Sequence, residues 1–112
     1  GLNGTMKEHQ ARISTMAKGY WVSVYRQIND PDKLASYAKV AGPAVTKHGG
    51  RPLARGGRVT GYEDGSDNRV VVIEFDSYEQ ALAAHESDDY KAALEVLRGG
   101  VVRDFRVVEG VD

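Results

Sequence analysis

Cysteine is absent from this chain, which excludes disulfides, thiol nucleophiles, iron–sulfur clusters and zinc–thiolate centres and leaves the interior to be held by packing. No apolar run approaches the roughly 20 residues of a membrane span, and the amino-terminal stretch lacks the basic-then-apolar layout of a secretory signal. A cytoplasmic protein is the expectation. Charge of one sign is lacking too: a formal net charge of -1 gives no field to draw nucleic acid or a membrane surface. A small organic partner is easier to accommodate. The sequence carries no GxxxxGK loop, no GxGxxG fingerprint, no HExxH pair and no serine in a nucleophile-elbow context. Neither a metal nor a cofactor is predicted.

A chain of 112 residues makes one domain, near the size at which association adds useful burial. Residues 1–15 read as an arm outside the core, processed or left over from expression, with Met16 as the natural start. Thr5 followed by Glu8 has capping-box spacing and suggests a short helix from Met6 to Ile13. Residues 16–112 read as a single domain.

From Lys18 onward the elements are legible. Trp21, Ser23 and Tyr25 alternate with Tyr20, Val22 and Val24 in an aromatic, β-branched strand. Asp30 and Pro31 suit the cap and first position of a helix, along which Leu34, Tyr37, Ala38, Ala41 and Val45 form one stripe. Gly42-Pro43 predicts a kink or break in it, and Gly49-Gly50 predicts its end. Pro52 favours an edge strand, and Gly56-Gly57 suits a tight hairpin with a modest strand on either side. Val70 to Phe75 is a strand apolar on both faces, capped by Ser77 into a helix that stops near Glu86. Ser87 restarts a helix on which Tyr90, Ala93, Leu94 and Leu97 share a face, and Val101 onward is a last strand.

That order predicts an α+β, ferredoxin-like βαββαβ fold with an antiparallel sheet and its helices on one face. The other face stays bare, and an apolar face of that size predicts a homodimer formed through it, with a higher oligomer left open.

The residues also resemble a known family. Tyr20-Trp21, Gly49-Gly50 with Arg55-Gly56-Gly57, the run Val72 to Phe75, Ser77-Tyr78 with Ala81, Ser87 with Tyr90, and Val108-Glu109-Gly110 are similar to the family named domain of unknown function thirteen-thirty. The resemblance covers about Lys18 to Val111. It implies a dimeric α/β barrel, a superfamily that includes cofactor-free monooxygenases and isomerases, and it sharpens fold rather than function.

Glu74 and His85 are the catalytic candidates. A carboxylate in a strand buried on both faces must be paired, hydrogen-bonded or protonated; Glu74 either acts as a base or meets an arginine such as Arg55 or Arg58 at the strand end. His85 follows Tyr78, Ala81 and Leu82 toward the space between helices and sheet. Ligand-binding candidates are Arg55, whose guanidinium could hold a carboxylate or phosphate, Tyr90 at a pocket mouth, Trp21 as apolar lining, and His48, which also suits the helix end on dipole grounds alone. The expected function is binding of a small organic molecule between sheet and helices, with cofactor-free oxygenation or isomerisation as the chemistry. The alternative is a non-catalytic homodimer that sequesters a ligand.

Overall fold

The structure, a computed structural model, describes residues 17–112; the expected helix from Met6 to Ile13 lies outside the described residues. Strand β1 (Gly19–Ile28) follows the alternation of its sequence, with Trp21, Ser23 and Tyr25 buried and Val24 exposed on the opposite side. Helix α1 (Pro31–Lys47) starts where Asp30 accepts from the amides of Asp32 and Lys33 at 3.1 and 3.2 Å. It ends two residues before Gly49, whose φ of 83° is the left-handed value the position after a helix cap favours.

The kink or break expected at Gly42-Pro43 does not occur as a break, because α1 is continuous through Pro43. Pro43 and Lys39, the residue whose carbonyl loses its helical donor, are both exposed, so water can take that carbonyl. Ala41, Ala44 and Val45 flank the proline and are buried, so packing holds both halves of the helix to the sheet.

Strand β2 (Arg51–Arg55) is short, and its pairing shifts register between Pro52 and Ala54, as an edge strand containing proline allows. The second strand expected beyond Gly56-Gly57 does not form. Gly56 turns the chain with a φ of 74° into a loop that satisfies its own backbone: the Gly61 amide donates to Asp67 at 2.8 Å and the Gly65 amide to the Tyr62 carbonyl at 2.8 Å. These turns take the donors that a hairpin ladder would have used.

Strand β3 (Val70–Phe75) leads through Ser77, whose hydroxyl accepts from the Gln80 amide at 3.0 Å, into α2 (Tyr78–Glu86). Ser87 then caps α3 (Asp88–Leu97), and β4 (Val101–Glu109) closes the fold. The four strands form one antiparallel sheet in the order β2-β3-β1-β4. The core joins Trp21, Tyr25, Val71, Ile73 and Phe75 of the sheet to Ala41, Ala44 and Val45 of α1, Ala81 and Ala84 of α2, and Tyr90 and Ala93 of α3. The three described helices therefore cover the face that carries the odd-numbered residues of β3 and β4 and of β1 up to Tyr25.

The even-numbered residues of β3 and β4, and of β1 up to Val24, form the other face. Tyr20 stands opposite Glu74, Val22 opposite Val72 and Val24 opposite Val70, and on the far side Tyr20 pairs with Val108. No helix of the described residues covers it. Val24 is 39% and Val108 48% exposed, a large value for valines in the body of a sheet.

Candidate functional site

A cavity of about 420 Å³ lies between the helix-covered face of the sheet and α1. Trp21, Ile73 and Phe105 supply its apolar wall from the sheet, and Leu34, Ala41 and Val45 supply the wall from α1. Its polar end is built around Arg103 of β4. That guanidinium donates to the hydroxyls of Tyr25 at 3.2 Å, Tyr37 at 3.4 Å and Tyr90 at 3.2 Å, while the Tyr37 and Tyr90 hydroxyls stand 2.6 Å apart. It also lies over aromatic faces, 4.9 Å from the Phe105 centroid, 5.2 Å from Tyr37 and 5.6 Å from Tyr25.

Burial acts on two members of this cluster, Tyr90 and Arg103. Desolvation pushes the Tyr90 hydroxyl well above the ordinary tyrosine range, which keeps it a neutral donor. Burial works against the Arg103 charge, but the oxygens of Tyr37, Tyr90 and Tyr25 outweigh it, so the guanidinium stays protonated. The arrangement is a fixed cation surrounded by neutral hydroxyls, suited to holding negative charge on an oxygen.

Trp21 fixes the floor of the cavity. Its indole N–H donates to the Ala81 carbonyl at 2.8 Å, and its ring packs 4.9 Å from Phe75, 4.7 Å from Tyr90 and 5.3 Å from Phe105 between centroids. The strand alternation and the bond to α2 together aim it there.

Trp21 and Arg55 both line the cavity; Tyr90 does not, but its hydroxyl bonds to Tyr37 and Arg103, which do. The other candidates lie elsewhere, so the pocket does not gather Glu74, Arg55, His85 and Tyr90 as the sequence suggested. Glu74 is on the helix-free face, where it accepts from the Tyr20 hydroxyl at 3.2 Å and from Arg51 Nε at 3.1 Å. Strand parity is the reason: Glu74 shares a face with Val72, and Arg55 pairs with Val71 on the other. The arginine that meets Glu74 is thus Arg51, not Arg55 or Arg58. His85 packs beside the aromatic cluster, 5.2 Å from Phe105 and 5.4 Å from Tyr90 between ring centroids, and does not line the cavity. His48 instead joins the end of α1 to the start of α3 through a 2.8 Å contact with Asp89. That bond holds the Asp89 carboxyl below its usual range, helped by Ser87.

Arg103 and the partnership of Tyr37 with Tyr90 are what sequence reasoning missed. The signal was present: Arg103 stands between Val101 and Phe105 at the same strand parity, a charge in an inward-facing row. Among the described residues, no group of three histidine or acidic side chains is placed to hold a metal ion.

One antiparallel sheet with the three described helices on one side defines a ferredoxin-like α+β domain. The chain belongs to the family described as Domain of unknown function (DUF1330), whose model matches residues 18–111. Similar solved structures include a protein of unknown function from Rhodopseudomonas palustris, with 19% identity, TM-score 0.64, and coverage of 92% of this chain and 90% of that one. SnoaB, a cofactor-independent oxygenase from Streptomyces nogalater, is 14% identical with TM-score 0.55 over 82% of this chain and 91% of its own. A dimeric ferredoxin-like protein of unknown function from Thermobifida fusca is 17% identical, with TM-score 0.50 over 86% and 92%. At such identities the likeness shows the fold. No curated protein matches the sequence. No helix among the described residues is long and apolar enough to cross a membrane.

Proposed function

We propose that this protein binds a small, partly apolar organic molecule in the cavity between sheet and α1, and that it works as a homodimer joined through the helix-free face of the sheet. The observation that carries the reading is the cavity itself. At about 420 Å³ it falls within the usual range for small-molecule sites, and it combines apolar walls with one convergent polar cluster. Trp21, Arg55, Tyr37 and Arg103 are the proposed contacts, with Tyr90 supporting Tyr37 from below. Glu74, lying on the face assigned to the second subunit, would act at the dimer interface.

The catalytic form of this reading is cofactor-free oxygenation or isomerisation, with Arg103 and the Tyr37 hydroxyl holding an oxyanion as it develops. The name of the Streptomyces neighbour supports it by analogy of fold. One observation favours the non-catalytic form, ligand sequestration: among the described residues, no carboxylate and no imidazole lines the cavity to act as a base.

Trp21 is the one tryptophan of the chain and lines the cavity, so its emission reports occupancy. Titration with a panel of small aromatic compounds is expected to give a saturable change in wild type. Ala38→Phe, which sets a ring into the cavity from α1, is expected to abolish that change while far-UV circular dichroism stays the same. If no compound gives a saturable response, or if Ala38→Phe responds as wild type does, the cavity is not the binding site.

A further inference from the structure

We infer that the ligand is an organic anion, an aromatic or aliphatic carboxylate whose charged end lies against Arg103 with its apolar body between Trp21 and Phe105. The inference rests on the cavity being a ligand site and adds what that site selects.

The local charge is the first argument. Arg55, Arg69, Arg103 and Lys39 all line the cavity, and no acidic residue does. The chain as a whole has a net charge of -1, so this excess of cations is local and not a reflection of composition. None of the four is ion-paired among the described residues.

The second argument is the environment of Arg103. A guanidinium set in the inward row of a strand loses hydration, and a counter-charge normally offsets that loss. Here every polar partner found is neutral: Ser23, Tyr25, Tyr37 and Tyr90. The tyrosines hold the fork in place without neutralising it. A second guanidinium is under-satisfied nearby: Arg69 stacks 5.7 Å from the Tyr25 centroid, and its Nε is buried with no hydrogen-bond partner.

The third argument is shape. The planar fork of a guanidinium fits the two oxygens of a carboxylate, and the aromatic walls fit an apolar body. Inorganic phosphate would satisfy the charge and leave the walls unused.

The test is binding of matched pairs to the full chain by ligand-observed nuclear magnetic resonance: benzoate with benzamide, and 2-naphthoate with 2-naphthamide. Each acid is expected to bind about tenfold or more tighter than its amide, as for a charge-assisted contact. Arg103→Met is expected to bring the pair within about twofold, and Arg103→Lys, which keeps the charge and loses the fork, is expected to fall between. Arg69→Met gives a second variant should the packing around Arg103 not tolerate methionine, and it is expected to lower the acid preference in part. If acids and amides bind wild type alike, or if folded Arg103→Met keeps the full preference, the anion assignment is overturned while the cavity reading stands. If no member of any pair binds, the cavity reading fails and the assignment falls with it.

Discussion

Tyr37 of α1 and Tyr90 of α3 bring their hydroxyls within 2.6 Å of each other, and both receive hydrogen bonds from Arg103 of β4. Two helices and an edge strand thus meet in one polar knot inside an otherwise aromatic core. Tyr90→Phe keeps the ring against Trp21 but removes the hydroxyl, and is expected to destabilise the fold by about 1–2 kcal/mol. Tyr37→Phe should cost a similar amount. Because the two share a bond, the double variant should lose about 0.5–1 kcal/mol less than the sum of the singles. Urea unfolding of the four proteins measures this, and strict additivity would show that the hydroxyls do not interact.

Two glycines should respond in opposite directions to alanine. A Cβ on Gly42, inside α1, would meet nothing within 4 Å, so Gly42→Ala gains helix propensity and is expected to stabilise by about 0.5–1 kcal/mol. A Cβ on Gly19 would fall on the backbone carbonyl of Ser77, which β1 and the α2 cap hold fixed. Gly19→Ala is therefore expected to destabilise by about 1–3 kcal/mol. Thermal midpoints of the two variants check both signs.

Acid stability should depend on Asp89. Its carboxyl is held below the ordinary range by the bond to His48, so the folded state binds this proton less readily than the unfolded chain does. The resulting stabilisation is fully present above the unfolded carboxylate value of about 3.9, and it is lost as pH falls through the lower folded value. Asp89→Asn should be less stable than wild type at about pH 6, and the two curves should converge toward about pH 2. A constant gap across that range would mean that the His48 contact is not the source.

The helix-free face should govern association. Val24 and Val72 lie on it at the same strand parity as Val22 and Val70. Wild type is expected to show about twice the 12.2 kDa chain mass in solution, and Val72→Asp, which would bury a charge against the partner, is expected to be monomeric at micromolar concentration. A wild-type monomer at that concentration would refute the proposed use of this face.

Most of the fold was legible because its signals are local. Asp30 and Ser77 name their helices through the amides they accept, and the parity of Trp21, Ser23 and Tyr25 names the buried side of β1. The misread segments are those where the outcome depends on distant atoms. Pro43 looks like a helix breaker until α1 is packed on the sheet, and Gly56-Gly57 looks like a hairpin turn until the loop after it satisfies its own donors. The polar cluster was harder still, since Arg103 and Tyr37 are 66 positions apart. Nothing in either neighbourhood announces that they share an oxygen-lined corner.

What the sequence determined by itself is most of the elements, the buried side of β1 and the existence of one apolar face in excess of the helices available to cover it, because these follow from periodicity and caps within a few residues. Which side chains share a cavity was decided only by tertiary structure. Register sends Glu74 to the face with Val72 and Arg55 to the face with Val71, and only the packing of α1 and α3 over β4 brings Tyr37, Tyr90 and Arg103 to one point. Hydrogen bonds between residues so far apart in the chain have no local signature, which is why the site had to be read from the fold.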